Sequence, residues 1–295
     1  MALAAQDTRA SRAARGGARR PRRMPSPGRV LATGVAMFLA AIWLLPLLWA
    51  LDTSLKPEAE TTAIPLRWIP SDFTADAYGK VLGAGDLIVW FVNSTIVSVS
   101  VTLLTLLLCS LAAFGFSRTR FRGRDLAFAV VLAGIMVPPQ VLIIPLFSEM
   151  QSMNLVDTLP GIILPQLVAP AMVFILKKFY DAMPVELEEA ARVDGASRLR
   201  IWWNIAVPLS RNALLAVAIF TFIHAWNNFL WPFVVTTDPD TMTIPVGLAT
   251  VQSSYGVIYA QLMALALLGG LPLLVVFVLF QRQVVRGVAQ TGLKG

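Results

Sequence analysis

Six apolar segments, each long enough to cross a bilayer, constrain the fold of this chain most. They lie near residues 30–51, 87–114, 126–147, 159–176, 213–235 and 257–280. An α-helix needs roughly 20 apolar residues to cross the hydrocarbon core of a membrane. Only 14% of the residues are charged, against about 25% in soluble domains. The sequence therefore predicts an all-α integral membrane protein with six transmembrane helices.

Positive charge predicts the orientation of these helices. All but three of the 24 lysines and arginines lie in the two tails or in the second-to-third and fourth-to-fifth connections; the exceptions are Lys56, Arg67 and Lys80. Cytoplasmic loops collect Lys and Arg, so we expect both termini and the fourth-to-fifth connection to face the cytoplasm. Three regions follow: a basic cytoplasmic tail (1–29), a transmembrane domain (30–281) and a C-terminal cytoplasmic tail (282–295).

The basic N-terminal tail has almost no large apolar side chains, which is typical of a disordered segment. Its arginines could suggest nucleic acid, but a topology signal that also contacts anionic lipid is the simpler interpretation. We therefore expect membrane lipid as a partner and no nucleic acid.

The third and fourth segments are rich in proline, which removes a helix hydrogen bond and kinks the axis. The prolines are Pro138, Pro139, Pro145, Pro160, Pro165 and Pro170. A carbonyl freed at membrane depth needs a protein or water partner, so kinks favour a packed bundle around a cavity. Ordinary kinking without a functional role is the alternative.

The connection between the fourth and fifth segments predicts a helix, a sharp turn and a second helix. Glutamates near Pro184 favour the start of a helix, and Gly195 fits a C′ position with positive φ. Ser197 can then cap a second helix, and Pro208 marks its end or a kink. A simple amphipathic connector lying on the membrane is the competing interpretation.

The spacing in this connection favours the first interpretation. Glu189-Ala190-Ala191 is followed by Gly195, by Ile205 and by Val207-Pro208. This pattern resembles the EAA loop of binding-protein-dependent ABC importer permeases, with Val207 where leucine is usual. Asp194-Gly195-Ala196 is similar to the carbohydrate-importer version of that loop.

Four further elements resemble the same family and follow in register. They are Phe91-Val92-Asn93-Ser94, Trp226-Asn227-Asn228-Phe229, Thr243-Ile244-Pro245-Val246-Gly247-Leu248, and a tail with Gly287 and Gly292-Leu293-Lys294-Gly295. The tail looks like that of MalG-type subunits. The resemblance covers roughly residues 30–295, and five elements in register are a specific signal where each alone is weak.

The resemblance implies a type I ABC importer permease of a bacterial or archaeal cell membrane, importing a sugar or oligosaccharide. It implies three protein partners: a cytoplasmic ATPase dimer, a second, usually non-identical permease, and an extracytoplasmic solute-binding protein. The residues that it assigns to ATPase coupling are Glu189, Ala190, Ala191, Asp194, Gly195, Ile205 and Pro208. It also suggests that the tail enters the ATPase interface, against the alternative of a frayed end.

The sequence indicates a transport subunit rather than an enzyme. It has no Gly-x-x-x-x-Gly-Lys-Ser/Thr loop, so we expect ATP and Mg²⁺ to be used by the partner ATPase and no cofactor to be bound here. One cysteine and one histidine do not supply a metal site of the usual kinds, and no catalytic cluster is visible. An ion-gradient-driven secondary transporter is the competing class, although such proteins place ionisable residues within the bilayer and these segments hold almost none.

Candidate solute contacts lie in the fifth segment. Trp226, Asn227 and Asn228 combine an aromatic face with amide donors and acceptors, which suit a polyhydroxylated solute. Packing between helices through hydrogen bonds is the alternative role for these three residues. An ABC permease for a non-sugar solute also stays open.

Overall fold

The computed structural model describes residues 27–65, 67–250 and 257–291, with the backbone alone for 27, 29–30 and 282–291. The disorder predicted for residues 1–25 and the tail residues 292–295 lie outside these ranges. Every regular element in the described ranges is helical. The chain divides into two units at Trp49 and Ala50, and all packing described below lies within the second unit.

Fifteen α-helices follow one another through the described ranges. In chain order they are α1 (Pro27–Ser54), α2 (Glu58–Thr61), α3 (Asp76–Gly83), α4 (Asp86–Arg118), α5 (Arg124–Ala133), α6 (Ile143–Ser152), α7 (Leu159–Ile163), α8 (Pro170–Asp181), α9 (Glu186–Val193), α10 (Arg198–Ile201), α11 (Val207–Leu209), α12 (Arg211–Trp226), α13 (Leu230–Val235), α14 (Ile244–Thr250) and α15 (Tyr259–Thr291). A π-turn (Trp202–Ala206) joins α10 to α11, and short 3₁₀ turns lie at Gly134–Met136, Pro139–Leu142, Leu164–Gln166 and Pro239–Thr241.

Three of the predicted spans are single helices. Leu31–Ser54, Asp86–Arg118 and Tyr259–Gln281 are each long and apolar enough to cross a membrane. They contain the predicted second span and nearly all of the first and the sixth. Helix α15 continues to Thr291, so the first ten residues of the predicted C-terminal tail are helical.

The remaining apolar segments are bent or broken. Arg124–Met136 and Pro139–Ser152 meet at 96°, Leu159–Gln166 and Pro170–Asp181 at 49°, and Arg198–Leu209 and Arg211–Trp226 at 81°. Counting each bent pair as one crossing gives up to six spans. The first two breaks fall at prolines, as the sequence predicts. The predicted fifth segment is also interrupted, between α12 and α13. No proline lies at this break; α12 ends there, just before Asn227 and Asn228.

Helix α4 lies at the centre of the second unit. It packs along α8 and α12, and buried apolar side chains line these contacts. One core cluster includes Leu176, Tyr180, Ile201 and Val217. A second cluster gathers Trp90, Ile244 and Val246 at the other end of α4. The two clusters tie each end of one long helix to a different connecting segment.

The connection between α1 and α4 folds as a short cap. It contains α2 and α3, and the Glu58 carboxylate accepts hydrogen bonds from the backbone amides of Tyr259 and Ala260 at 2.8 and 2.9 Å. A carboxylate at this position satisfies free N–H groups of a helix N-terminus. The cap therefore holds the start of α15.

Candidate coupling site

Residues 186–209 form a helical hairpin, called the 186–209 hairpin below. Helix α9 ends in a Schellman motif, in which Ala196 N–H donates to Ala191 O at 2.9 Å and Gly195 N–H donates to Arg192 O at 3.0 Å. Gly195 has φ = +76°, a conformation that glycine adopts without the Cβ penalty of other residues. The turn predicted at Gly195 is therefore present.

The second half of the 186–209 hairpin is also positioned by its own sequence. The Ser197 hydroxyl caps α10 by accepting from Arg200 N–H at 3.3 Å. Through the π-turn the helix reaches Leu209, one residue after Pro208. A bend of 81° then leads into α12. Pro208 thus lies at the end of the second helix, as its restricted backbone predicts.

The predicted coupling residues fall on two faces of this hairpin. Glu189, Ala190, Asp194, Gly195 and Pro208 are exposed. Ala191 and Ile205 are half-buried and pack on the same core cluster as Tyr180. Four of the exposed residues therefore lie at or within two helical turns of Gly195, whereas Pro208 lies at the far end of the second helix. The two half-buried residues seat the hairpin on the core.

An apolar side chain also projects beside the turn. Val193 is 89% exposed, next to Asp194 and Gly195. A Cβ built on Gly195 would meet no atom within 4 Å, so the turn stands clear of the rest of the chain. A small, rigid and accessible projection of this kind can enter a cleft in another protein.

A buried ion pair, missed in the sequence, anchors the hairpin to α4. Glu188 Oε1 lies 3.0 Å from Arg118 Nε, with only 5% and 8% of the two side chains exposed. Arg118 Nη2 also donates to Met183 O at 2.6 Å and to Tyr180 O. The half-exposed Arg192 approaches the other Glu188 oxygen at 3.2 Å. Arg118 thereby joins the end of α4, the end of α8 and the start of the hairpin.

A signal for Glu188 was present in the sequence. Glu188 lies three residues before Ala191, and this spacing puts the two side chains on one face of α9. That face packs on the core. Only the position of Arg118, 70 residues away in the chain, decides that the charge is compensated, and sequence spacing does not show it.

A second buried link joins the hairpin to the bundle. Trp202 Nε1–H donates to Ser110 Oγ at 2.9 Å, and Ser110 Oγ lies 2.6 Å from Tyr180 Oη. Tyr180 also meets Phe114 edge to face, with ring centroids 5.9 Å apart. Each polar atom in this buried row has a partner, as a low-dielectric interior requires. Side chains from α4, α8 and the hairpin are therefore locked together.

The three predicted solute contacts point in different directions. Trp226 is 3% exposed, stacks on Phe222 and donates to Gly269 O at 3.1 Å. Asn228 is half-buried, and its Nδ2 donates to Gln166 Oε1 at 2.8 Å. Asn227 is exposed, with Nδ2 donating to Ile223 O at 2.8 Å. Of the three, Asn227 is the most exposed side chain.

The Asn228–Gln166 bond also connects two helix breaks. Gln166 lies at the break before α8, and Asn228 at the break after α12. Backbone groups freed at such breaks need partners within protein or water.

Within the described ranges, no group of three or more His, Cys, Asp and Glu side chains could hold a metal ion.

A family model decides the class of protein. The model of the binding-protein-dependent transport system inner membrane component matches residues 105–290, a range that contains the whole 186–209 hairpin. The chain belongs to this family. It is therefore an inner membrane component of a transport system, in agreement with the resemblance carried by the EAA-like spacing.

Permeases of sugar importers are among the relatives of this family member. The arabinooligosaccharides transport system permease protein of Halalkalibacterium halodurans is 37% identical over 269 residues, which cover 90% of this chain and 96% of the relative. The trehalose/maltose transport system permease protein of Thermococcus litoralis is 34% identical over 272 residues, which cover 90% and 97%.

A solved structure shares the fold. A chain of a bacterial ABC transporter involved in the import of the acidic polysaccharide alginate superposes with a TM-score of 0.76 at 21% identity, covering 88% of this chain and 98% of that chain. The family member therefore has the fold of an ABC importer permease.

Proposed function

We propose that this chain is one of two permease subunits of an ATP-driven importer of sugars or oligosaccharides. An ATPase dimer docks on the 186–209 hairpin, a second permease completes the solute pathway, and a solute-binding protein delivers the solute from outside. The chain itself binds no nucleotide, so ATP and Mg²⁺ act in the partner. Both termini and the hairpin face the cytoplasm.

The exposed Schellman turn of the hairpin carries this proposal. A turn fixed by backbone hydrogen bonds and seated on a buried row of side chains transmits a displacement rather than absorbing it. Glu189, Asp194 and Gly195 lie at its accessible end. Family membership supplies the second support, because a binding-protein-dependent system needs an external binding protein by definition.

The distribution of charge supports the orientation. Arg120 and Arg122 are exposed in the loop after α4, Arg118 and Arg124 lie at the two helix ends that this loop joins, and further basic residues lie in the hairpin. In the six-span topology these connections lie at the same end of the apolar segments. Cytoplasmic loops collect such residues. A cytoplasmic ATPase can reach the hairpin only in this orientation.

The sugar assignment depends on the relatives and on Asn227. Relatives named for arabinooligosaccharides, for trehalose and maltose, and for diacetylchitobiose are at least 33% identical to this chain over the aligned residues. The exposed Asn227 amide offers both a donor and an acceptor to hydroxyl groups. Asn228 and Trp226 then support the wall of the pathway without facing it, through their hydrogen bonds to Gln166 and Gly269.

Purification through a tag on this chain tests the proposal. We expect an ATPase, a second permease and a binding protein to co-purify or to be required for activity. In proteoliposomes, we measure uptake of arabinooligosaccharides, maltose, trehalose and diacetylchitobiose. ATP is supplied on the side of the membrane that the ATPase faces. ATP-dependent uptake of at least one sugar is the expected result. Uptake that follows an imposed ion gradient without ATP would favour the secondary transporter.

The C-terminal tail extends the same proposal. Helix α15 continues to Thr291, so the first ten residues of the predicted tail are helical. We expect this end to reach the ATPase interface. Deleting residues 290–295 should lower ATP hydrolysis by the assembled complex, whereas equal rates in full-length and truncated complexes would contradict the role.

A further inference from the structure

Helix α4 is the longest rigid connection between the 186–209 hairpin and the opposite end of the bundle. It runs without a break from Asp86 to Arg118, over 33 residues, which is about 50 Å of helix at 1.5 Å per residue. The third, fourth and fifth apolar segments, by contrast, are bent or interrupted. An unbroken helix transmits displacement along its length, whereas a broken one can absorb displacement at its hinge.

The near end of α4 is fastened to the hairpin through charge. Arg118 is its last residue and pairs with the buried Glu188 at 3.0 Å. The same guanidinium group binds the carbonyls of Met183 and Tyr180, at the end of α8. Arginine suits this role because its planar fork binds several acceptors at once.

The far end of α4 is fastened to the loop of residues 236–244, called the 236–244 loop below. Asn93 Nδ2 donates to Asp240 O at 2.8 Å and to Met242 O at 3.0 Å. Ser94 Oγ accepts from Ile244 N–H at 2.8 Å. Trp90 Nε1–H donates to the carbonyl of Pro239 at 3.0 Å. Side chains from the second and third turns of α4 therefore hold this loop through its backbone.

We infer that Arg118 and Glu188 are positioning residues that make α4 the route by which movement of the hairpin reaches the 236–244 loop. The inference depends on the proposed function, because the movement comes from the docked ATPase. The ion pair sets the hairpin against the near end of α4, and the three polar side chains at the far end carry the displacement to the loop.

A purely structural role predicts a different behaviour. Replacing a buried ion pair by apolar residues of similar size is often neutral or stabilising, whereas removing one partner leaves an uncompensated charge. The double variant Arg118→Met/Glu188→Leu should therefore fold as well as the parent. If the pair only stabilised the fold, this variant would also couple normally.

The test uses the complex purified with its ATPase and follows the 236–244 loop directly. Asp240→Cys places a thiol at an exposed position whose backbone, not side chain, binds Asn93. The single native cysteine, Cys109, is buried. Labelling of the chain that carries Cys109 alone gives the background for this chain. Labelling by a membrane-impermeant maleimide is compared with and without ATP plus vanadate, beside the rate of ATP hydrolysis.

The expected result is an ATP-dependent change in labelling that falls at least about fivefold in Arg118→Met/Glu188→Leu, the lower end of typical coupling between sites. Folded yield and co-purification with the ATPase should be kept. Arg192→Gln is the matched control, because it removes the exposed partner of the same carboxylate and should keep the change.

Three outcomes would overturn the inference. A labelling change of parental size in the double variant would do so, as would a parent complex that hydrolyses ATP with no change at residue 240, or a control variant that loses the response equally. If no ATPase co-purifies with the parent, the proposed function itself fails, and the inference fails with it. If the double variant does not fold, the prediction that Met and Leu can replace the buried pair is wrong. The pair is then needed for folding, and this result also counts against a purely positioning role.

Discussion

Near each end of α4 a carboxylate holds a connecting segment in place, and the two carboxylates differ in burial and in the groups that they bind. At the hairpin end, Glu188 is buried against a guanidinium group. At the other end, the partly exposed Asp157 accepts from Asp238 N–H at 2.9 Å, from Thr237 N–H and from the Thr237 hydroxyl at 2.8 Å. A buried pair is costly to break from one side, whereas an exposed carboxylate can exchange backbone donors for water. We call the Arg118–Glu188 contact the hairpin joint and the contact of Asp157 with residues 237–238 the Asp157 joint. The hairpin joint is costly to break, whereas the Asp157 joint can open at small cost.

The largest expected effect comes from leaving one buried charge alone. Arg118→Met, without a change at Glu188, should lower the free energy of unfolding by about 3–5 kcal/mol, the usual cost of breaking a buried pair. Thermal unfolding in detergent, followed by size-exclusion chromatography, measures this loss. The double variant should recover most of it, and a single variant as stable as the parent would mean that the pair carries little energy.

The turn of the hairpin gives the next effect. Gly195→Val should cost about 1–2 kcal/mol, because a residue with a Cβ resists the left-handed conformation. The space around Gly195 is open, so the cost is conformational and not a clash. Transport should be lost while membrane insertion is kept. Gly195→Asn is the control, since asparagine tolerates positive φ, and normal uptake with valine would remove the coupling assignment.

A smaller effect is expected at the other joint. Asp157→Asn keeps a side chain that tolerates the observed φ of 56° but gives up one acceptor oxygen and the charge. The free energy of unfolding should fall by about 1 kcal/mol, a typical net value for a hydrogen bond. The same detergent assay applies. A loss as large as that of Arg118→Met would erase the difference between the two joints.

Acid should loosen the same joint. Hydrogen bonds from the amides of Asp238 and Thr237 lower the pKa of Asp157 below its ordinary value of 3.8. A lowered pKa means that the unfolded chain binds the proton more readily, so the stabilising contribution is complete above the ordinary value and is lost as pH falls through the folded one. The stability difference between the parent and Asp157→Asn should therefore shrink below about pH 4. A constant difference from pH 7 to pH 3 would contradict this assignment.

The smallest effect is expected at Arg192. Its side chain is half exposed, although it reaches Glu188 at 3.2 Å, and exposed pairs four residues apart on a helix contribute about 0.3–0.5 kcal/mol. Arg192→Gln should therefore lie within the error of an unfolding measurement. A loss above 1 kcal/mol would show that Glu188 divides its pairing between both arginines.

Local rules predicted much of the hairpin and little of what anchors it. Gly195, Ser197 and Pro208 each act on the backbone within a few residues, so their positions in the sequence already indicate a turn, a cap and an end. Arg118 appeared in the sequence only as a topology charge, because its partner is 70 residues away. Long-range pairs of this kind depend on how the helices pack.

The same division holds for the apolar segments. Hydrophobic length predicted α4 and α15, and proline predicted two of the helix breaks. The break after Trp226 follows from amide side chains that bind backbone and side-chain partners, among them Gln166, and such competition with a helix is weak in a single sequence. The division of Trp226, Asn227 and Asn228 among three environments follows from that break.

The π-turn at Trp202–Ala206 has a consequence for rotational phase. A π-turn holds one residue more than the α-helix around it, and one residue of α-helix corresponds to about 100° of rotation. Deleting a single residue within this turn would leave a regular helix, yet it would swing the Gly195 turn about 100° around the axis of its second helix. The extra residue therefore sets the azimuth at which the hairpin faces its partner.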